Sequence, residues 1–491
     1  MKSPKRVAII GTGISGMAAA IELADKGMRV TAFEKNASYG GRGRQHLAQG
    51  YAFDLGPSWY WMPDIFEAFF NRYGKSTSDY FELVRLDPSY RIVHRQGVLD
   101  APAGREACEA VFEQREPGSS QFLHAFLDEA RYKYETGMSD FVRRPSLRWS
   151  EFFDLRLLKA ALRLDMLTPL EKIVYRGVRD EVLRQWLCFP VLFLGAKPSR
   201  TPALYSLMNH ADIDLGTWYP MGGMFRLFEA MYQLALEKGV EFHFNAPVSA
   251  IKSQGPAVTG LVVDDREHLF DAVIAAADYH HVDSQLLGAG RAHYTERYWQ
   301  QRELAPSSLI YYLGVGKKLD GLLHHNLFFD ADFDRHATSI YDEGGWPEDP
   351  LFYVCAPSKT DPSVAPAGKE NLFILIPLAP GIHDTPEARS QLYNKVMHRI
   401  ESRVGESIRP HIEYKMEMGP DDFVSAYNSF KGNAYGLANT LRQTAVLKPS
   451  LRHRRMKGLY YAGQLSHPGP GLPPSLISGQ ISAGLVIDDL Q

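Results

Sequence analysis

Three glycines and one acid carry the first chemical message. Gly11, Gly13 and Gly16 punctuate the stretch Gly11-Thr-Gly-Ile-Ser-Gly16, and Glu34 closes the next apolar run. A phosphate needs backbone N–H donors with no side chain in the way. At this spacing the first glycine permits a tight turn, the second lets the backbone approach a pyrophosphate, and the third lets a helix pack closely on a strand. Ile14 and Ser15 complete the turn. Glu34, with Lys35 beside it, stands where a carboxylate accepts hydrogen bonds from an adenosine ribose. The chemistry so specified is the holding of a dinucleotide.

That chemistry needs a strand, a helix and a second strand in register. Residues 6–10 read as a fully buried strand, β-branched and almost continuous. Met17, Ile21 and Leu23 mark an amphipathic helix that ends at Gly27, and residues 29–33 form the second strand. The helix N-terminus adds free N–H groups and the positive end of a dipole. A βαβ unit whose glycines serve packing alone is the alternative.

Gly40-Gly41-Arg42-Gly43-Arg44 follows the acid, and then Asp54-Leu-Gly56-Pro57-Ser58. A second glycine turn with arginine suits closure around a bound pyrophosphate, and so favours a bound flavin over exchangeable NAD. An ordinary surface turn is the other reading. Near the C-terminus, residues 458–463 read as a strand ending at Gly463. A loop over 464–474 follows, with Gly471, Leu472 and Pro473 facing the cofactor, and then a helix over 475–489. Prolines suit its first turn, and its N-terminus can stabilise negative charge on a reduced flavin ring. His467 in this loop reads as a surface or positioning residue, with a chemical role as the rival.

With 491 residues the chain is roughly three times a typical domain and predicts two or three folded units. It is 45% hydrophobic and 23% charged, which excludes a disordered chain. A net charge of −3 offers no footprint for nucleic acid. Cys108, Cys188 and Cys355 lie far apart without metal-ligand spacing, so a reducing compartment is expected and a disulfide scaffold is not. The N-terminus does not read as a signal peptide, and no apolar run approaches a membrane span. The longest runs, such as residues 189–194, are strand-sized.

In the middle of the chain, Met221-Gly-Gly-Met224 opens a helix to about Lys238, and strands follow at 240–244, 246–251, 258–263 and 270–276. The expected flavin domain is assembled from residues 1–75, 215–290 and 440–491. A substrate domain comes from 76–214 and 291–440, with a helical, membrane-associating region over 145–190.

With Gly41 and Arg42 the chain resembles the FAD-containing amine-oxidase-like superfamily. GPSWYWMP (56–63), FPVLFLGAKPSRTP (189–202), LGTWYPMGGM (215–224), LLHHNLFF (322–329) and HPGPGLPPSLISGQ (467–480) resemble segments of bacterial CrtI-type phytoene desaturases, in order along the whole chain. The resemblance implies an α/β fold. A Rossmann-like (GR2-type) FAD-binding domain is joined to an interleaved α+β substrate domain with a helical, membrane-facing part. It implies an FAD enzyme that desaturates phytoene, commonly to lycopene, without metal or nicotinamide. Hydride passes from an allylic carbon to flavin N5, with proton loss from the neighbouring carbon. It places Val248 at the adenine end and Ala276 to Asp278 beside the cofactor, and offers Asp154 as an acid/base. The implied partners are a hydrophobic polyene, a membrane surface, and a quinone or oxygen as electron acceptor, for a cytoplasmic protein at the membrane periphery. The alternatives are a desaturase of hydroxylated carotenoids, a carotenoid cis–trans isomerase, a prenyl-lipid escort protein and an amine oxidase.

Four further features invite a function. In residues 151–165, Leu155, Leu158 and Leu162 alternate with Arg156, Lys159 and Arg163, as on a helix lying on an anionic membrane or a core helix with a basic face. Trp59, Tyr60 and Trp61 line a substrate tunnel or belong to the core. The pairs His280-His281 and His324-His325 are expected to point to opposite faces of a strand and not to chelate. The basic run over 452–457 reads as a solvated loop.

Overall fold

The computed structural model describes residues 3–147, 165–166, 168–195 and 197–490. Its first sheet has five parallel strands with β1 (Arg6–Ile10) at the centre. On one side lie β2 (Arg29–Phe33) and β3 (Glu241–His243), and on the other β4 (Ala272–Ala275) and β5 (Leu459–Tyr461). Val7, Ala8 and Ile9 are fully buried, as a strand covered on both faces requires. Because every pairing is parallel, the loops that follow β1, β2, β4 and β5 all emerge at one edge. That edge is where open α/β sheets bind ligands.

α1 (Ile14–Asp25) returns the chain from β1 to β2, and α2 (Leu472–Leu490) packs along it. The approach is close because side chains are missing where backbones meet. A Cβ on Gly16 would overlap the carbonyl oxygen of Gly11, and one on Gly479 the carbonyl oxygen of Ser15.

A second, seven-stranded sheet runs in the order Ile412–Met418, Ser307–Val315, Glu370–Leu378, Phe352–Cys355, His325–Phe328, Tyr90–His94 and Gly97–Ala101. It is antiparallel except where His325–Phe328 pairs with Tyr90–His94. One face, with Leu309, Leu313 and Ile374, is covered by the helix Pro386–Val404 through Leu392, Val396 and Ile400. The opposite face carries Ser308, Ile310, Leu375 and Tyr353 towards the first sheet. Both faces are buried, so Ser307–Val315 shows no polar alternation.

Several local expectations change. Residues 189–194 form a 3-10 helix rather than a strand, because Pro190 has a fixed φ and no ladder donor. The stretch over 270–276 begins its strand only at Ala272, after a separate strand Arg266–Leu269 that closes a small antiparallel sheet with Ala257–Val263 and Val248–Gln254. α2 starts at Leu472, so Pro473 and Pro474 lie inside its first turn. His280 and His281 sit on a single helical turn, Tyr279–His281, capped by Asp278, not on a strand. Among the described residues no helix is long and apolar enough to cross a membrane. Residues 151–164, with Asp154 and the basic stripe, lie outside the described residues.

Candidate functional site

The loops at the edge of the first sheet open on one cavity of about 720 Å³. Every residue expected from the sequence to hold the cofactor lines it except Gly16, which lies one helical turn behind, where it sets the approach of α1 to Gly11. Gly11, Gly13, Ile14 and Ser15 form the floor after β1. Glu34 and Lys35 follow β2, Ala276 and Asp278 follow β4, and Gly463 follows β5. Gly41, Arg42, Gly56, Pro57, Ser58 and Val248 close the sides, and Gly471, Leu472 and Pro473 bring the N-terminus of α2 to the wall.

Glu34 is buried and fixed from four directions. Thr12 donates its backbone N–H (3.0 Å) and hydroxyl (2.9 Å) to one oxygen; Asn36 donates its backbone N–H (3.0 Å) and side-chain amide (2.8 Å) to the other. These four donors take the four lone-pair sites of the carboxylate, so a ribose hydroxyl would share an oxygen with them or displace one of the Thr12 or Asn36 bonds. Arg42 is half-buried, with its Nε out of contact with solvent. It donates to the Ser429 hydroxyl at 2.9 Å and lies over the Tyr427 ring at 5.2 Å, while its Nε has no protein partner among the described residues. Burial lowers its pKa, partly offset by Asp278. A half-buried guanidinium with an unused donor, glycine backbone opposite it and a helix N-terminus nearby fit a phosphate-containing cofactor. Around Gly13 a Cβ would meet nothing within 4 Å, so the backbone there is open to the cavity.

Asp278 has a different task from the one its position suggests. Its carboxylate accepts the backbone N–H groups of His281 and Phe430, each at 3.2 Å, and burial raises its pKa. It ties the loop after β4 to the segment around Phe430. Lys35 donates to the Ser425 carbonyl (2.7 Å) and the Asn428 amide oxygen (3.2 Å), tethering the same wall.

Beyond the glycine loops the cavity becomes aromatic and aliphatic, with Trp59, Trp61, Phe66, Ile310, Leu375 and Tyr353 in its lining. Ile310 and Leu375 are direct cross-strand partners, and Leu375 is in turn paired with Tyr353. Trp59 and Trp61 take the tunnel reading. Tyr60 does not: it is fully buried in the core against Phe66. Met208, Tyr427 and Tyr435 also line the cavity and carry no motif in the sequence; only the folded register brings them there.

His467 is buried rather than at the surface. Its Nε2 donates to the Val142 carbonyl at 3.1 Å, and burial pushes its pKa down to about 4. It does not line the cavity and holds the loop before α2 in place. In the basic run, His453 is buried; its Nδ1 accepts the backbone N–H groups of Arg455 and Met456, so this loop is built inward as well as solvated. The three cysteines are free and buried. The expectation of opposite faces fails for His324 and His325. Their ring centroids are 4.4 Å apart, because the strand begins only at His325 and His324 stands in the preceding segment.

Comparison with known proteins adds three findings. The model of a family described as flavin containing amine oxidoreductase matches residues 14–487. A carotenoid 3,4-desaturase from Haloarcula japonica is 39% identical over 99% of both chains. A zeta-carotene-forming phytoene desaturase from Myxococcus xanthus is 33% identical over 97% of this chain and 93% of its own. Among solved structures, a double mutant of putrescine oxidase aligns with a TM-score of 0.63 over 99% of each chain, at 14% identity, a likeness of fold alone.

Proposed function

The chain belongs to the family of flavin-containing amine oxidoreductases, and from that premise we propose that it is a carotenoid desaturase. It is an FAD-dependent oxidoreductase. The observation that carries the carotenoid reading is the shape of one cavity. It runs from Gly11, Gly13, Glu34 and Arg42 into a wall of Trp59, Trp61, Ile310 and Leu375, an end of the cavity where, among the described residues, aromatic and aliphatic side chains rather than charged ones face the substrate. The two relatives named as carotenoid desaturases support it. We read the acted-on bond as a CH–CH unit of a carotenoid that is already partly conjugated, as the name of the 39%-identical relative favours. Desaturation of phytoene to lycopene is the second reading, favoured by the 33%-identical relative.

When bound, FAD supplies the two-electron acceptor that removal of two hydrogens requires. The residues of the chain do the rest by position. The backbone around Gly11 and Gly13 and the Arg42 side chain would hold the phosphates, and Glu34 the ribose. The N-terminus of α2, at Leu472, opens on the cavity, where its dipole would stabilise negative charge on the reduced cofactor. Trp59, Trp61, Ile310 and Leu375 align an apolar chain and exclude water, which contributes through orientation. Residues 1–75, 215–290 and 440–491 form the cofactor unit in this reading, and 76–214 with 291–440 the substrate unit. A membrane surface delivers the polyene, and a quinone or oxygen takes the electrons.

The test is anaerobic: purified protein with FAD, carotenoid-loaded liposomes and a quinone, the pigments then separated by chromatography. Longer-wavelength polyenes that form only with flavin and acceptor support desaturation, and the substrate consumed, phytoene or a conjugated carotenoid, decides between the two readings. A flavin-loaded protein that shifts isomer ratios without consuming acceptor would overturn it.

A further inference from the structure

Behind the cavity wall lies a cluster that the proposed reaction does not use. One ring nitrogen each of His324 and His325 and the Cys355 sulfur lie within 4.8 Å of one another, and all three residues are buried. The register explains the meeting. His325 and Cys355 are cross-strand partners, and Ala356 donates its backbone N–H to the His324 carbonyl, which turns that ring in beside them.

The hydrogen bonds at the rim are those that ligating imidazoles keep. His324 Nδ1 is 2.7 Å from the Thr360 hydroxyl, and His325 Nδ1 is 2.6 Å from the Tyr353 hydroxyl. In both rings Nε2 is buried without a partner among the described residues. With each Nδ1–H donated to a hydroxyl, both Nε2 lone pairs face the core. The thiol of Cys355 has one proton and cannot satisfy two acceptors.

We propose that His324, His325 and Cys355 bind one soft closed-shell cation, Cu(I) or Zn(II), through two imidazole nitrogens and a thiolate. Binding forms one metal–sulfur and two metal–nitrogen bonds and releases the thiol proton to solvent, with no change of oxidation state. Charge favours the monovalent ion. Cu(I) with one thiolate and two neutral imidazoles is neutral, whereas Zn(II) would leave a positive charge in a site of fully buried side chains. The hydroxyls of Thr360 and Tyr353 orient the rings as outer partners do at metal sites. The ion would fasten the strand Phe352–Cys355 to the segment entering His325–Phe328. It would thereby fix Tyr353 and Trp59, whose ring stacks on His325 at 4.1 Å, on the cavity wall. Its role is positional, not catalytic.

The experiment uses the full-length, FAD-loaded protein, without a histidine tag. It is reduced and freed of metal, titrated with Cu(I) against a chromophoric chelator and, separately, with Zn(II), then analysed for metal after desalting. About one equivalent retained by the wild type is expected. Loss of that equivalent is expected in His324→Gln and Cys355→Ser, with roughly 10–100-fold weaker binding in Thr360→Val. Flavin absorbance confirms that each variant is folded. Because a variant can fail to fold, X-ray absorption on the loaded wild type gives an independent answer, with one sulfur and two nitrogen neighbours expected. Less than a tenth of an equivalent of either ion, equal retention by wild type and folded variants, or a shell without sulfur would each overturn the site.

Discussion

Asp212 and Trp61 are joined through a single hydroxyl. Trp61 donates its indole N–H to Thr217 Oγ1 at 2.8 Å, and that hydroxyl faces Asp212 Oδ1 at 3.3 Å. The other carboxylate oxygen takes the Tyr90 hydroxyl at 2.5 Å, and Tyr90 oxygen accepts the Trp186 indole N–H at 2.6 Å. One buried carboxyl thus fixes Trp61 in the cavity wall and Tyr90, whose ring packs edge-on against Trp59.

Burial pushes the Asp212 pKa up to about 7 against the pull of the Tyr90 and Thr217 bonds. Its folded value exceeds its unfolded one, so its contribution to stability is complete below about pH 4 and is lost as pH rises to about 7. Asp212→Asn mimics the protonated form. Denaturant unfolding should find the variant close to wild type at about pH 4 and increasingly favoured as pH rises from there. At pH 8 it should be favoured relative to wild type by up to roughly 4 kcal/mol, at 1.4 kcal/mol per pH unit. A stability difference that does not change with pH would contradict this.

Gly16→Ala places a methyl group against the Gly11 carbonyl and forces α1 away from β1. A stability loss of about 1–3 kcal/mol is expected, as for overpacking elsewhere. The purified variant should also lose its flavin absorbance, since the displaced turn is the phosphate cradle.

Glu34→Gln turns an acceptor into a donor. Thr12 and Asn36 already present four donors to Glu34, so the amide NH₂ must face an N–H. Fluorescence titration should show FAD binding at least about tenfold weaker, in line with about 1.4 kcal/mol or more for an unsatisfied buried pair.

Ile310→Trp fills the apolar end of the cavity while leaving the glycine loops untouched. The flavin content should stay at the wild-type level while carotenoid turnover falls about a hundredfold or more. Loss of flavin together with turnover would mean that the two ends of the cavity are not separable.

The dinucleotide end was legible because its requirements are local. Gly11, Gly13, Gly16 and Glu34 lie within one βαβ unit, and each reports a backbone or hydrogen-bond demand that few other residues meet. The apolar end was not. Ser308, Ile310, Leu375 and Tyr353 come from strands buried on both faces, where side-chain periodicity disappears, and their convergence depends on long-range pairing. His324 and His325 misled for the related reason that strand geometry was assumed one residue too early. The bond that Asp278 accepts from Phe430 was not legible, because that partner N–H lies far away in sequence.

The order in which the first sheet acquires its strands has a consequence for synthesis. β1 and β2 leave the ribosome long before β4, and β5 follows later still. α2, which seals α1 and presents Leu472 to the cavity, follows β5. A nascent chain therefore carries the glycine motif for most of its translation with no finished cradle around it. FAD has its complete site only once α2 has been made, and a chain stopped near residue 457 would leave β4 with an open edge and the apolar flank of α1 uncovered. Translation arrest late in the message should yield an insoluble, colourless polypeptide rather than a weakened flavoprotein.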